Sequence, residues 1–237
     1  MFDTHGNYTD RMLVPEEVSG FHPISYASRL YLPPVPSAWQ ARLKRGIDIA
    51  GALLGLALAP LIMLPIALAI WLDSPGPILF RQPRIGRDGQ PFTMWKFRTM
   101  RYAPEPRGLS QAVRNDPRVT RVGAWLRRSS LDELPQFINV LRGEMSLVGP
   151  RPHAPGTRAG GRLFEDVTPQ YAARHRVKPG MTGLAQIRGW RGETDTEIKL
   201  LRRVAADLEY IETWSLRLDL AILLRTLPVV ARMFNAY

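Results

Sequence analysis

The strongest pattern along the chain is a run without a charge. After Asp48 come 24 residues, 49–72, that are apolar or small throughout. As a helix such a run is long enough to cross the ~30 Å of a bilayer's hydrocarbon. It begins nearly fifty residues in, and no small-residue cleavage site follows it, so it is not a signal peptide. Pro60 divides it into arms of eleven and twelve residues, each only about 17 Å long as a helix. Proline removes a backbone donor and kinks a helix; Pro65 adds a second perturbation, and Gly55 and Ala59 leave room for a bend. Basic residues flank both ends, with Arg42, Lys44 and Arg45 before the run and Arg81, Arg84 and Arg87 after it. The positive-inside rule places both flanks on one side of the membrane. The pattern therefore predicts a re-entrant helix-break-helix over about 46–72, broken at Pro60. A kinked full span and a buried core helix stay open as alternatives.

Beyond Asp73 the period shortens. The segment 73–77 is a dense turn signal, 78–80 a short apolar run, and Asp88-Gly89 favours a tight hairpin into a strand over 91–100. Residues 101–118 are polar and rich in breakers, and read as a loop carrying Arg107, Arg114 and Arg118. Residues 120–128 predict a short helix with Val122, Trp125 and Leu126 inward. Ser130 and Glu133 have the spacing of a capping box, opening a helix to Gly143 that Pro135 either delays or distorts. A short strand and a Gly-Pro-Arg-Pro turn follow over 146–152, then a glycine- and proline-rich loop region over 177–192. Thr194 and Glu197 form a second capping-box pair, opening a helix to about Thr213. The tail 215–237 is amphipathic and suits either a membrane interface or a core helix. Residues 1–40 have mixed polarity, end near a proline-rich YLPPVPS, and read as an arm and linker. The expected fold class is α/β, a small membrane-associated domain over 41–237 with interfacial amphipathic helices.

Composition narrows the chemistry. A chain of 237 residues allows one or two domains, and the absence of cysteine excludes disulfides, cysteine nucleophiles, Fe–S clusters and the common cysteine zinc sites. The formal charge is +11, but residues 81–128 alone hold twelve basic and three acidic side chains. Of 32 basic side chains 28 are arginine, whose rigid fork suits phosphate. Nucleic acid, anionic lipid and nucleotide are all partners of that kind. A nucleic-acid-binding module has no use for the uncharged 49–72 segment, and the chain shows no helix-turn-helix spacing or aromatic platform.

An adjacent acidic pair such as Asp132-Glu133 is commonly a helix cap. Here Arg127 and Arg128 precede it, Arg151 sits in a rigid turn flanked by prolines, and Lys96 lies in a basic strand. Cations can hold a neighbouring aspartate ionised and stabilise a migrating phosphoryl group. An ionised aspartate can attack phosphorus, and a carboxylate pair also makes an oxygen-rich Mg²⁺ site. His153 and His175 have no evident carboxylate beside them. The residues thus point to phosphoryl chemistry at a membrane. A membrane scaffold without catalysis fits less well with Asp132, Glu133, Arg127 and Arg151 together.

Several longer stretches carry a resemblance: KRGIDI (44–49), GPILFRQPRIG (76–86), FTMWKFRTM (92–100), residues 115–152 around SLDELPQ and GPRP, VKPGMTGLAQIRGWRGETDT (177–196) and WSLRLDL (214–220). In this order they resemble the bacterial sugar transferases, the monotopic phosphoglycosyl transferases. The resemblance implies that Asp132 is the nucleophile on the β-phosphorus of a UDP-sugar, releasing UMP, with Glu133 its partner at a Mg²⁺ site. Arg127 and Arg151 match substrate-phosphate and nucleotide contacts, and Lys96 and Asp219 match further family positions of less defined role. Polyprenyl (undecaprenyl) phosphate would then take the sugar phosphate and start a glycan or exopolysaccharide. The apolar run matches a re-entrant membrane helix at a bacterial inner membrane, its catalytic domain facing the cytoplasm, with Ala59-Pro60 where the family commonly has Ser-Pro. GWRGETDT and the terminal NAY resemble glucose-1-phosphate members, so UDP-glucose is the expected donor, with UDP-galactose or an N-acetyl-hexosamine donor as alternatives. Longer relatives carry further domains, and the chain reads as a catalytic core that stands alone or was shortened. The oligomeric state is left open, a homodimer included.

Overall fold

A computed structural model describes residues 37–102 and 116–231. The arm up to residue 36, Arg107 and Arg114 of the expected loop, and the terminal Asn235-Ala236-Tyr237 lie outside the described residues. The chain is a mixed α/β structure in which helices supply most of the core and the strands form three two-stranded ladders.

The apolar run lies in helix α1, Ala38–Asp73, long and apolar enough to cross a membrane. Its start is held by the Gln40 side-chain oxygen, which accepts from the Ser37 backbone N–H at 2.9 Å. Pro60 and Pro65 both lie inside this one helix, so the apolar run is not divided into two separate helices at Pro60. Each proline removes one backbone donor, and the bonds on either side carry the helix past it. One stripe, including Ala52, Ala59, Ile66 and Ile70, is buried, whereas Leu53, Leu54, Leu58, Leu61, Leu64 and Leu68 on the other faces are exposed. Gly51 and Gly55 allow the close approach: a Cβ there would lie 2.5 Å from Leu147 and 2.6 Å from the Phe137 ring.

Both ends of α1 rest on one body. At its start Arg45 donates to the carbonyls of Val140 (2.6 Å) and Leu141 (2.7 Å). Asp48 accepts from the Ser146 hydroxyl and the Leu147 N–H, both at 3.0 Å. At its end Asp73 accepts from the Val122 N–H at 3.0 Å, and Arg98 donates to the carbonyls of Ile70, Ser74 and Pro75. Orphan carbonyls at a helix C-terminus attract a cation in this way.

Strands β1 (Leu79–Ile85) and β2 (Pro91–Phe97) form the expected hairpin, in register from Leu79↔Phe97 to Ile85↔Pro91. Asp88 (φ 55°) and Gly89 (φ 77°) turn the connection. Helix α2, Arg121–Ser129, is capped by Thr120, whose hydroxyl accepts from the Gly123 N–H at 3.0 Å. Leu126 is buried and Val122 packs beside it, but Trp125 is 46% exposed, against the inward expectation.

Ser130 does not cap a helix. It adopts a left-handed conformation (φ 61°) that ends α2, and Leu131–Glu133 form one 3-10 turn before α3, Gln136–Arg142. Pro135 marks the start of that helix, as proline at an N-terminus can. Strand β3, Ser146–Val148, leads into the Gly-Pro-Arg-Pro turn. It pairs in parallel with a later strand, Gly180–Thr182, inside the region expected to be loop. Between them lie β4 (Arg158–Ala159), β5 (Arg162–Leu163), α4 (Phe164–Val167) and a 3-10 segment, Pro169–Arg176. In chain order Gly180–Thr182 is β6, and α5, Leu184–Ile187, follows it.

Helix α6, Glu197–Glu212, has the expected length, but its cap is Thr196, which accepts from the Lys199 N–H at 3.3 Å, and Thr194 is buried instead. In α7, Leu216–Ala231, Asp219 and Ile222 are buried while Leu220, Leu224 and Leu227 are exposed, so one face is core and the other open. The main core gathers Val140, Met145, Leu200, Ile211 and Ile222; Leu126, Phe97, Ile66 and Ile70 form a second cluster under α1.

Candidate active site

Three structural choices bring the acidic pair to a cleft. The left-handed Ser130 turns the chain out of α2, the 3-10 turn places Asp132 and Glu133 side by side, and Pro135 starts α3 at once behind them. Strand β2 brings Lys96 from below, and the rigid turn after β3 brings Arg151. Lys96 Nζ lies 3.0 Å from Glu133 Oε1 and 3.9 Å from Asp132 Oδ2. Arg151 makes a two-pronged pair with Glu133, Nη1 to Oε2 at 3.1 Å and Nη2 to Oε1. Arg127, on the last turn of α2, is steadied by the Thr99 hydroxyl at 2.8 Å from its Nε and reaches the same cleft.

The two carboxylates differ. Glu133 has both oxygens taken by cations. Burial works against its charge, but Arg151 and Lys96 outweigh burial and hold its carboxyl well below the usual range. Asp132 accepts no hydrogen bond among the described residues and lines the cleft. Burial pushes its carboxyl up to about 6; Lys96 opposes that shift, and the neighbouring Glu133 charge adds to it. At neutral pH it is therefore ionised, poorly solvated and held by no hydrogen bond among the described residues, with Lys96 its near counter-charge, which is what a carboxylate nucleophile or base requires.

The cleft has a volume of about 1570 Å³, with ten basic side chains and three acidic ones in its walls. Much of the positive excess of 81–128 thus lines a concave space, through β1, β2 and the segments after them. Such a space suits a compact polyanion such as a diphosphate.

Of the residues expected at the site, the structure brings together Lys96, Arg127, Asp132, Glu133 and Arg151. It does not bring Asp219 to them. Asp219 is buried at the foot of α1, where it accepts from Lys44 Nζ (2.9 Å), the Tyr210 hydroxyl (2.8 Å) and Trp214 Nε1 (3.4 Å). Thr99, just after β2, steadies Arg127, and Arg84 of β1 holds the carbonyl of Pro152; the basic character of this segment is the one sign of either role that the sequence carries.

A divalent cation has a limited donor set here. Among the described residues no group of three or more His, Cys, Asp or Glu side chains converges. Asp132, with its open oxygens toward the cleft, fits a cation that completes its shell with water and substrate phosphates, as Mg²⁺ commonly does. Glu133 would have to exchange a guanidinium or ammonium contact to join it.

Residues 39–233 match the profile of the bacterial sugar transferases. The chain belongs to this family. It is 56% identical over 204 residues to an undecaprenyl-phosphate glucose phosphotransferase of Komagataeibacter xylinus, a match covering 85% of the chain and 38% of that protein. UDP-glucose:undecaprenyl-phosphate glucose-1-phosphate transferases of Escherichia coli K12 and Caulobacter vibrioides are 54% and 52% identical, over 78% and 86% of the chain. Those matches span 39% and 75% of the two relatives' own lengths. The shared region contains the whole Lys96–Arg151 cluster.

Proposed function

We propose that this bacterial sugar transferase domain moves a sugar 1-phosphate, glucose 1-phosphate first among candidates, from a UDP-sugar to polyprenyl phosphate. The observation that carries the reading is the buried Asp132 carboxylate, with Lys96 at 3.9 Å and no hydrogen bond among the described residues, lining an arginine-rich cleft beside a fully paired Glu133. Lys96, Arg127 and Arg151 bind the diphosphate and spread its charge as it develops. An Asp132 oxygen attacks the β-phosphorus; the bond from that phosphorus to the bridging oxygen breaks, and UMP leaves with the electron pair. The sugar phosphate remains on Asp132 as an acyl phosphate. A phosphate oxygen of the polyprenyl phosphate then attacks the same phosphorus, expelling the Asp132 carboxylate and forming polyprenyl-diphosphate-sugar. A Mg²⁺ ion held by Asp132, with Glu133 at hand, would supply charge neutralisation at the diphosphate. Glu133 keeps Lys96 and Arg151 aimed, and the burial of the pair limits competing water.

The acceptor is a lipid, and α1 fits that. Its exposed leucines suit an acyl layer, and its two ends sit on one body, which favours a re-entrant placement over a span. The cleft then faces the cytoplasm at the bacterial inner membrane, with anionic headgroups near the basic flanks. Reagents confined to the periplasm should miss both residue 44 and residue 84; labelling of either alone overturns this topology.

A donor screen tests the function. Several UDP-sugars are supplied with polyprenyl phosphate and UMP is measured. Release with UDP-glucose above UDP-galactose and UDP-N-acetyl-hexosamines supports the reading; release with another sugar alone reassigns the donor, and none with any sugar overturns the reaction class.

A further inference from the structure

The turn that carries Arg151 is held at each successive carbonyl. Pro150 O accepts from the Gly180 N–H at 2.9 Å, and His153 O from the Ile85 N–H at 3.2 Å. Pro152 O accepts from Arg84 Nη1 at 3.3 Å, and Arg151 O from Arg174 Nη2 at 2.6 Å. Gly180 and Ile85 are strand backbone, and Arg84 lines the cleft itself. Arg174 differs from all of these. It comes from the 3-10 segment Pro169–Arg176, is 2% exposed, and does not line the large cleft.

Its remaining donors show what fixes it. Nε and Nη2 both reach Asp207 Oδ2 on α6, at 3.0 and 2.6 Å, and Nη1 reaches His153 Nδ1 at 2.6 Å. Burial, reinforced by the Arg174 charge, keeps the His153 imidazole well below its ordinary pKa, so the ring is neutral and Nδ1 can accept. A buried guanidinium is costly unless its partners are well placed, and space alone could be filled by an apolar side chain. Arg174 grips the turn at two points, the carbonyl of Arg151 and the ring of His153, and is itself clamped by a helix on the other side.

We infer that Arg174, clamped by Asp207, is a positioning residue for Arg151, fixing the backbone from which the Arg151 guanidinium reaches Glu133 and the donor diphosphate. The inference rests on the proposed reading of the site. Without the grip Arg151 keeps its charge and loses its aim, and a displacement of about an ångström in a positioned group lowers rates by up to roughly a hundredfold.

A double-mutant cycle on the full chain tests it. Arg174→Lys, Arg151→Ala and the double variant are compared for UMP release from UDP-glucose and for UDP-glucose affinity by titration. Affinity carries the cycle even where Arg151→Ala turns over too slowly to time. Arg174→Lys should raise KM and the Kd for the donor by about tenfold in the wild-type background, by loss of positioning. In the Arg151→Ala background the same change should alter Kd by less than about twofold, because the two residues act as one unit. Asp207→Asn should follow the same pattern with a smaller effect. If Arg151→Ala keeps full activity and affinity, the reading of the site fails. If Arg151→Ala is impaired and Arg174→Lys adds an equal loss on top, the positioning role is overturned while the site stands. If neither Arg174→Lys nor Asp207→Asn folds, the pair supports the fold alone, and the inference is likewise overturned.

Discussion

Two of the buried acid–base clusters among the described residues, one at the foot of α1 and one at the cleft, differ in how completely their valences are filled. At the foot of α1, Asp48 accepts from Lys44 (3.2 Å), Ser146 and Leu147, and Asp219 accepts from Lys44, Tyr210 and Trp214. Every carboxylate there is shared, and the cluster ties α1 to β3, α6 and α7. At the cleft Glu133 is equally well paired, but Asp132 beside it accepts no hydrogen bond among the described residues. On the proposed reading, similar residue types thus do opposite work. A closed set of partners makes a joint, and an open carboxylate among cations makes a reactive group.

The largest expected effect falls on the open member. Asp132→Asn should lower sugar-phosphate transfer by about 10⁴-fold, the scale seen when a catalytic carboxylate is removed. Its stability should be unchanged or higher by thermal unfolding. The folded pKa of Asp132, about 6, lies above the ordinary carboxyl value, so the folded state binds this proton more tightly than the unfolded chain. That contribution is present at acid pH and lost as pH rises through about 6; asparagine removes the burden of holding the charge.

The closed cluster should respond the other way. Asp219→Asn removes one of the two carboxylates that hold the half-buried Lys44, leaving Asp48 at 3.2 Å, and should cost about 1.5–3 kcal/mol of stability in a denaturant titration, the scale for a hydrogen bond to a charged group. The activity of the molecules that remain folded should stay close to wild type. Full stability with abolished donor turnover would break the comparison and move Asp219 into the reacting site.

Glu133→Gln should lower activity by about a hundredfold, since two cations lose the charge that aims them. Its pH profile sharpens the point. In the wild type UMP release should fall below about pH 6 as Asp132 takes up a proton. The Glu133 charge helps hold that value up, so in Glu133→Gln the acid limb should move to lower pH. The smallest effect belongs to the outer face of α7: Leu224→Ser should change stability by less than about 0.5 kcal/mol while weakening retention on vesicles.

The sequence carried the features set by local pattern. The long helix followed from an uncharged run, the hairpin from Asp88-Gly89, and the cation–carboxylate constellation from Lys96, Arg127, Asp132, Glu133 and Arg151. What it hid depends on distant partners or on competing local signals. Ser130 and Glu133 have capping-box spacing, yet the left-handed Ser130 and Pro135 divert the chain into a 3-10 turn. Trp125 has the period of an inward residue but meets no cover, and Pro60, which reads as a boundary between two helices, lies inside one. The β3–β6 pairing joins strands some thirty residues apart through glycine- and proline-rich chain, where periodicity gives no sign of a partner. Asp219 illustrates the same limit, since a family position says that a residue matters and its neighbours say why.

The most direct test of the central claim is a trap for the acyl phosphate. The protein is incubated with UDP-glucose labelled in the sugar, without polyprenyl phosphate, then denatured and examined for protein-bound label alongside released UMP. If Asp132 is the nucleophile, about one labelled sugar phosphate per active site should remain on the protein, matched by an equal amount of UMP, and Asp132→Asn should retain none. UMP release that requires the lipid acceptor, with no label on the wild-type protein, would contradict it and leave Asp132 as a base in a direct transfer.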